Sequence, residues 1–164
     1  MQLDDKLLSA IQPDLERIAA SRLATEQNCS LAAPDLVNEA FVRIMNSEGM
    51  GEMTRARVLA LVSHVMRNVL IDHARRKLAD KRAHQKVTLV TGLAEDPPLD
   101  LIELDLLLEE LAEVDRERAD LVEMRFFGGM TIEEIAEVTG TSPATIKRRW
   151  TATRAWLYKR MVDA

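Results

Sequence analysis

The stretch MTIEEIAEVTGTSPATIKRRW, residues 130–150, contains two short amphipathic segments separated by a glycine. Thr131 and Glu134 have the spacing of a capping box, in which hydroxyl and carboxylate each accept a hydrogen bond from a free backbone N–H at a helix start. Gly140 can adopt the left-handed conformation that ends a helix. Ser142 can cap a second helix, and the proline after it suits a first helical turn. The stretch therefore predicts two short helices joined by a tight turn, which is the helix-turn-helix arrangement.

The second of these helices is basic and contains no acidic residue. In a helix-turn-helix the second helix enters the DNA major groove, and its early residues face the base edges. Lys147 and Arg148 can therefore reach guanine acceptors or phosphates, and Thr151 lies one turn beyond Lys147 on the same face. A solvated basic helix that closes an ordinary bundle is the alternative. The predicted DNA contacts are Ser142, Thr145, Lys147, Arg148, Arg149, Thr151 and Arg154. Phosphate contacts are predicted for Arg149, Arg154, Lys159 and Arg160. Ile146, Trp150 and Leu157 are predicted to pack.

Charge is strongly segregated along the chain, although the net charge is only -5. Residues 54–86 contain nine Lys or Arg and two acids, and residues 142–162 contain six basic residues and no acid. Between them, residues 93–123 contain twelve acids and two arginines. The basic blocks suit a phosphate backbone. The acidic block is expected to face solvent or a basic protein surface, or to pack over a basic domain and mask it.

Composition favours a helical protein that is not secreted. The 164 residues are enough for one domain or two small ones, and they are rich in Leu, Ala, Glu and Arg. Cys29 is the single cysteine, so an internal disulfide is excluded and a reducing cytoplasm is expected. The first 20 residues lack a signal-peptide pattern, and no stretch approaches the roughly 20 apolar residues of a membrane span.

Apolar residues recur at helical spacing in almost every segment. A first helix is predicted to start or to be interrupted near Pro13, and a second amphipathic helix follows Pro34 and ends at Met45. Thr54 is predicted to cap a long third helix. Further helices are expected at 101–111 and 115–127. The Gly-Gly pair at 128–129 is expected to end the second of them.

The helical pattern stops between the third and fourth predicted helices. Residues 87–100 contain a glycine and the pair Pro97-Pro98, which is typical of a linker. The predicted fold is therefore all-α, with two small helical domains joined by a linker. The predicted boundaries are 1–88 for the first domain, 89–102 for the acidic Pro-containing linker and 103–164 for the second domain, which contains the helix-turn-helix.

Three segments in this order resemble bacterial RNA polymerase sigma factors of the extracytoplasmic-function (ECF) class. The segment LLEELAEVDRERADLVEMRFFGGMTIEEIAEVTGTSPATIKRRWTATRAWL resembles the C-terminal domain of that family. APDLVNEAFVRIM resembles the helix that binds the polymerase, and RARVLALVSHVMRNVLIDHARRKLADKR resembles the promoter-melting helix. The resemblance extends from about Leu7 to Met161.

The resemblance implies a sigma factor that binds core RNA polymerase and directs it to promoters, with no catalytic residue, no cofactor and no metal of its own. The acidic segment resembles the family's linker, which threads through the RNA exit path of the polymerase. A solvated acidic helix is the alternative reading for Glu109, Glu110 and Glu113. The family's polymerase-binding helix, which packs on a coiled coil of the largest subunit, corresponds here to Asp35, Asn38, Glu39, Phe41 and Arg43.

Asn68 corresponds to the family position that captures a flipped promoter base. A plain surface amide is the alternative for Asn68. Some members of the family are activated by phosphorylation of a threonine, and Thr54 resembles such a site. A simple helix cap is the alternative for Thr54. An anti-sigma protein or a Ser/Thr kinase is therefore an expected partner. The predicted contacts to the downstream promoter element are Arg67, Asn68, His73, Arg75, Arg76 and Lys77, with Lys81 and Arg82 as further cations.

Three other classes of protein fit the sequence less well. A response regulator would need alternating strands and helices in residues 1–90, and the pattern there is helical. Asp72-His73 reverses the His-Asp pair of metal phosphohydrolases, and the further ligands at helical spacing are missing. A pure adaptor that binds protein through its acidic helices would leave both basic blocks unexplained.

Overall fold

The computed structural model describes residues 5–22, 33–46, 54–80, 88–89 and 99–162. Two strands of two residues, β1 (Thr88–Leu89) and β2 (Leu99–Asp100), pair antiparallel. The described helices are α1 (Asp5–Arg22), α2 (Ala33–Met45), α3 (Arg55–Ala79), α4 (Leu101–Val114), α5 (Arg116–Phe126), α6 (Ile132–Thr139) and α7 (Pro143–Val162). The all-α prediction is confirmed.

Local chemistry fixes several helix ends. The Thr131 hydroxyl accepts a hydrogen bond from the Glu134 backbone N–H at 3.1 Å, and the Glu134 carboxylate accepts one from the Thr131 N–H at 2.9 Å. This is the predicted capping box at the start of α6. Gly140 ends α6 with φ +67°, and the Ser142 hydroxyl accepts from the Thr145 N–H at 3.3 Å to begin α7. The Thr54 hydroxyl accepts from the N–H of Arg57 at 3.3 Å and caps α3 as predicted.

The predicted interruption near Pro13 is wrong, because α1 continues through it. Proline removes one backbone hydrogen bond and crowds the preceding turn, at a cost of about 3 kcal/mol in a helix interior. The opposite side of α1 offsets that cost: Ile11, Leu15 and Ala19 are at most 1% exposed, whereas Pro13 itself is exposed. Tertiary packing therefore outweighs the local preference of proline.

Helix α3 lies at the centre of the described structure and contacts α2, α4, α5 and α6. Buried side chains from the first three and the last four helices belong to one continuous hydrophobic cluster. The predicted linker falls mostly outside the described residues. The division into domains 1–88 and 103–164 stays a prediction, and we call residues 5–80 and 99–162 the N-terminal and C-terminal halves.

The turn between α5 and α6 packs against the N-terminal half. Gly128 lies so close to Ser63 of α3 that a Cβ added to it would be 1.8 Å from the Ser63 hydroxyl oxygen. The Arg22 guanidinium at the end of α1 is buried and donates a hydrogen bond to the carbonyl of Phe126. Burial, and secondarily the charge of Arg125, lowers the pKa of Arg22 to about 10. None of the described helices is both long enough and apolar enough to cross a bilayer.

Candidate nucleic-acid interface

Packing on one side of α7 leaves its basic side outward. Ile146 and Trp150 are 2% and 8% exposed, as the sequence predicted. The Trp150 ring meets Phe126 edge to face, with centroids 5.3 Å apart, and the Arg125 guanidinium lies 5.2 Å from the Trp150 ring centroid. Edge-to-face and cation–π contacts of this kind fix the rotation of a helix about its axis. As a result Lys147, Arg148 and Thr151 are exposed.

The first turns of α7 carry the residues predicted to face base edges. Lys147 and Arg148 are both exposed. The Arg148 guanidinium donates to the Thr145 hydroxyl at 3.3 Å, and that hydroxyl also accepts from Ser142 at 2.9 Å. Thr151 donates its hydroxyl to the backbone carbonyl of Lys147 at 3.0 Å. Lys147, Arg148 and Thr151 thus lie on one exposed face of α7, and Ser142 and Thr145 lie at its N-terminal end.

Two other basic residues of α7 hold acidic partners. The Arg149 guanidinium lies 2.9 Å from the carboxylate of Glu117 on α5. Arg160 makes a two-pronged contact with Glu110 of α4, at 2.7 and 2.8 Å, and its guanidinium stacks 5.2 Å from the Trp156 ring centroid. A phosphate would have to compete with these carboxylates for either arginine.

Asn68 lies on the exposed side of α3, at a cavity of about 380 Å³. Its amide nitrogen is 3.4 Å from Nε2 of His64. Cations and carboxylates from α2, α3 and α4 share the cavity wall. The lining residues are Arg43, His64, Arg67, Asn68, Ile71, Asp72, Arg75, Asp105 and Glu109.

Arg67 is largely covered, with 13% of its side chain exposed. Its guanidinium donates to Asp105 of α4 at 2.8 and 3.1 Å and to Glu123 of α5 at 2.9 Å. Asp105 also lies 3.3 Å from Arg75, and Glu123 lies 2.9 Å from Nδ1 of His64. We call Arg67, Asp105, Glu123 and His64 the carboxylate clamp. It joins a predicted DNA contact of α3 to two acids of the C-terminal half.

The contacts in the clamp shift the pKa values of Arg67, His64 and Glu123 towards their charged forms. Burial alone would lower the pKa of Arg67, but its bonds to Asp105 and Glu123 outweigh burial and raise it. The hydrogen bond that Nδ1 of His64 makes to the Glu123 carboxylate raises the pKa of His64. Burial alone would raise the pKa of Glu123, yet His64 and Arg67 together hold it below its usual value. The charges of Arg67, His64 and Glu123 therefore support one another.

The rest of the predicted downstream contacts lie along the same helix. Arg75 and Arg76 are exposed, and His73 and Lys77 are half-buried. The predicted cations Lys81 and Arg82 and the histidine at position 84 lie outside the described residues.

The predicted polymerase-binding residues lie on α2, with mixed exposure. Asp35 and Asn38 are exposed, and Phe41 is half-buried against the core. Arg43 bridges Glu39 at 2.8 Å and Asp72 of α3 at 3.3 Å, so these charges tie α2 to α3.

The same face of α2 carries two apolar residues that the sequence interpretation missed. Val42 and Met45 are 58% and 67% exposed. They continue the 3-4-3 spacing of Asp35 and Asn38, which places all four side chains on one helix face. That spacing was the signal that could have identified them. The outward face of α2, which we define as these four residues, is therefore part apolar and part polar.

Asp105 and Glu123 were also missed as members of the interface. The sequence showed an acidic block but not which of its twelve acids become buried. Both lie among apolar neighbours at helical spacing, where a buried carboxylate needs a partner. Each side chain is 8% exposed.

Thr54 is exposed at the first residue before α3. Arg55 beside it lies 3.1 Å from Asp14 of α1 and 3.7 Å from Glu134 of α6. Arg57 is exposed and makes no ion pair with another of the residues that the structure describes.

Within the part of the chain that the structure describes, no group of His, Cys, Asp and Glu has the arrangement of a metal site.

Comparison with known proteins identifies the family of this chain. Neither the curated proteins nor the solved structures gave a match. The family model for ECF sigma factors matches residues 2–163. With nearly the whole sequence covered and the basic helix exposed at the expected place, this chain belongs to the ECF sigma factor family.

Proposed function

We propose that this chain is an alternative sigma factor, which binds core RNA polymerase and directs it to a specific set of promoters in the cytoplasm. The family match over residues 2–163 is the observation that carries the proposal. The family is non-enzymatic, so the nucleotidyl-transfer chemistry belongs to the polymerase. The sigma factor supplies positions and charges.

The two halves have separate tasks in this proposal. Residues 1–88 dock on the polymerase through the outward face of α2 and open the downstream promoter element. Residues 103–164 read the upstream element through Lys147, Arg148 and Thr151. The exposure of all three on one face of α7 supports this assignment. Lys and Arg are the side chains that pair best with the two acceptors of guanine in the major groove.

Asn68 is the proposed contact to an unstacked promoter base. Flipping a base out of a duplex costs a few kcal/mol, which a pocket and nearby cations must offset. Asn68 opens onto the 380 Å³ cavity, and Arg67 and Arg75 belong to its wall. An amide side chain can donate and accept hydrogen bonds on the edge of one base. The proposed role therefore needs Arg67 and Arg75 to be available to DNA.

In vitro transcription tests the proposed function. Purified chain is added to core RNA polymerase on fragmented genomic DNA, and the RNA 5′ ends are mapped. A sigma factor yields discrete start sites that share two upstream sequence elements and that core enzyme alone does not produce. Failure of the chain to bind core polymerase or to create such start sites would contradict the proposal.

A second protein is proposed to control the activity, either an anti-sigma protein or a Ser/Thr kinase that modifies Thr54. Thr54 is exposed at the N-terminus of α3, where the helix dipole favours negative charge. A phosphate there carries about -1.5 to -2 charges and can pair with Arg57.

The variant Thr54→Glu tests the kinase branch. We expect it to raise promoter-directed transcription with core polymerase, because it places a negative charge beside Arg57. Thr54→Ser is the matched control, since serine keeps the helix cap without adding charge. Equal transcription from both variants, together with tight binding of unmodified protein to the polymerase, would exclude phosphorylation as the switch.

A further inference from the structure

The contact between the two halves covers residues that the proposed function needs on DNA. Arg67 is the clearest case, because two carboxylates, each 8% exposed, hold its guanidinium. Removing one partner from a buried ion pair leaves an uncompensated charge and is strongly unfavourable. Arg67 therefore cannot turn towards DNA while Asp105 and Glu123 stay in place.

The same contact brings negative charge to the cavity at Asn68. Asp105 and Glu109 of α4 form part of its wall, next to Asp72 of α3. A phosphate entering here would meet these three carboxylates as well as three arginines, so the positive charge that would attract it is offset. In this arrangement Arg67 and Arg75 of α3 are paired with carboxylates of the C-terminal half.

Steric fit at the α5–α6 turn is also tight. Gly128 and Ser63 are in direct contact across the two halves, and the Ser63 hydroxyl is fixed by a 2.6 Å hydrogen bond to the Leu59 carbonyl. Gly128 does not have a positive φ, so its backbone would accept alanine. An added Cβ would also lie 3.0 Å from the Met124 carbonyl of α5, so lack of space, above all at Ser63, is what requires glycine here. This position is therefore a point where one methyl group can separate the halves without altering a charged residue.

We propose that the free chain is autoinhibited by this contact: the carboxylate clamp and the Gly128–Ser63 contact hold the C-terminal half over the promoter-melting side of α3, and the halves must separate before Arg67 and Asn68 can bind DNA. The inference depends on the proposed sigma-factor function. It assigns a regulatory role to Asp105, Glu123 and Gly128, which make no DNA contact themselves. Any partner that separates the halves exposes α3.

The wedge variant Gly128→Ala tests the proposal in the full chain. Small-angle scattering measures compactness, and a compact chain of this length has a radius of gyration of about 15 Å. Fluorescence anisotropy measures binding to labelled mixed-sequence single-stranded and duplex DNA at low salt, where phosphate contacts dominate and the promoter sequence is not needed. We expect wild type to be compact and to bind weakly. We expect Gly128→Ala to be larger and to bind about tenfold more tightly or more, because the binding-competent fraction rises.

The double variant Gly128→Ala with Ser63→Gly is the matched control. It removes the hydroxyl and Cβ that the new methyl group would strike, so compactness and weak DNA binding should return to wild-type values. Circular dichroism confirms that every variant keeps its helix content. A wedge variant that expands without binding DNA more tightly would refute masking, and a wild-type chain that is already extended would refute the closed state.

A second variant reaches the same state without a steric change. Asp105→Asn with Glu123→Gln leaves Arg67 without a carboxylate partner, and we expect expansion and tighter DNA binding as for the wedge. If wedge and charge variants both expand while DNA affinity stays at the wild-type value, the proposal is wrong. Transcription with core polymerase distinguishes failure of the autoinhibition proposal from failure of the proposed function. If only autoinhibition is wrong, wild type and Gly128→Ala direct transcription equally. If the proposed function is wrong, neither protein directs transcription.

Discussion

Lys147 and Arg148 are the two basic side chains at the exposed start of α7, and each can contribute to affinity in two ways. A side chain that reads a base discriminates between sequences, whereas one that binds a phosphate holds the protein in register on any sequence. Comparing the affinity for the cognate promoter with the affinity for mixed-sequence DNA separates the two roles. Lys159, exposed near the other end of α7, offers a phosphate contact for comparison.

We expect Lys147→Ala or Arg148→Ala to cost about 1–3 kcal/mol on the cognate promoter and to relax sequence preference, because a base contact is lost. Lys159→Ala should weaken binding evenly across sequences. The measurement is affinity of the polymerase complex for promoter variants that differ at single positions. Small, sequence-blind effects from all three changes would refute base reading by the first two residues.

His64 gives the clamp a dependence on pH. Its pKa is raised by Glu123 of α5, while burial, Arg67 of α3 and Arg116 of α5 act in the opposite direction. Because the folded pKa exceeds the unfolded value of about 6.5, the stabilisation is fully present below pH 6.5 and is lost as pH rises through the folded pKa. Acidification therefore favours the closed state.

We expect the difference in free energy of unfolding between wild type and His64→Gln to be larger at pH 6 than at pH 8.5. Urea denaturation at the two pH values measures it. Glutamine keeps a donor for Glu123 but does not titrate, so the comparison isolates the charge on His64. An unchanged difference across this range would show that His64 does not couple to Glu123.

Helices α6 and α7 show which elements the sequence can predict. Their boundaries depend on local hydrogen bonds of Thr131, Glu134 and Ser142 and on the left-handed Gly140, all of which are readable from neighbouring residues. Pro13 shows the limit of such prediction. Its local preference predicted a break, but α1 continues because the other side of the helix is buried. Element ends set by local chemistry are predictable, whereas those set by packing need the fold.

The outward face of α2 offers a test at the level of an element. Val42→Ser should leave the fold intact, since Val42 is 58% exposed, and should weaken polymerase binding about fivefold if that face docks as proposed. The estimate takes about 1 kcal/mol for the part of the valine buried on binding. Titration of labelled chain with core polymerase measures it.

Val114→Ser on α4 is the matched control, because it changes an even more exposed valine, at 85%, on a different helix. Its affinity for the polymerase should equal that of wild type. Equal affinities for both variants would place the docking surface away from Val42.

At the scale of the whole molecule, the sequence revealed opposite charge blocks but not their pairing. Arg67 and Glu123 are 56 positions apart, and Arg67 and Asp105 are 38 apart. Such contacts depend on how α3, α4 and α5 pack, and many equally charged residues compete for each partner along the chain. The candidate DNA contacts of α7 were predictable because one helix carries them. The burial of Arg67 was not, because three elements create it.

Both tryptophans of the chain lie on α7, Trp150 buried against Phe126 and Trp156 half-buried beneath Arg160. Intrinsic fluorescence therefore reports on the C-terminal half alone, whereas far-ultraviolet circular dichroism samples helices throughout the chain. If the two halves melt as one cooperative unit, denaturation curves from the two signals coincide. Displaced midpoints would mean that each half has its own stability. The two tryptophans are therefore a natural fluorescent reporter of the C-terminal half. They show without an added label whether unfolding of that half is coupled to unfolding of the N-terminal half.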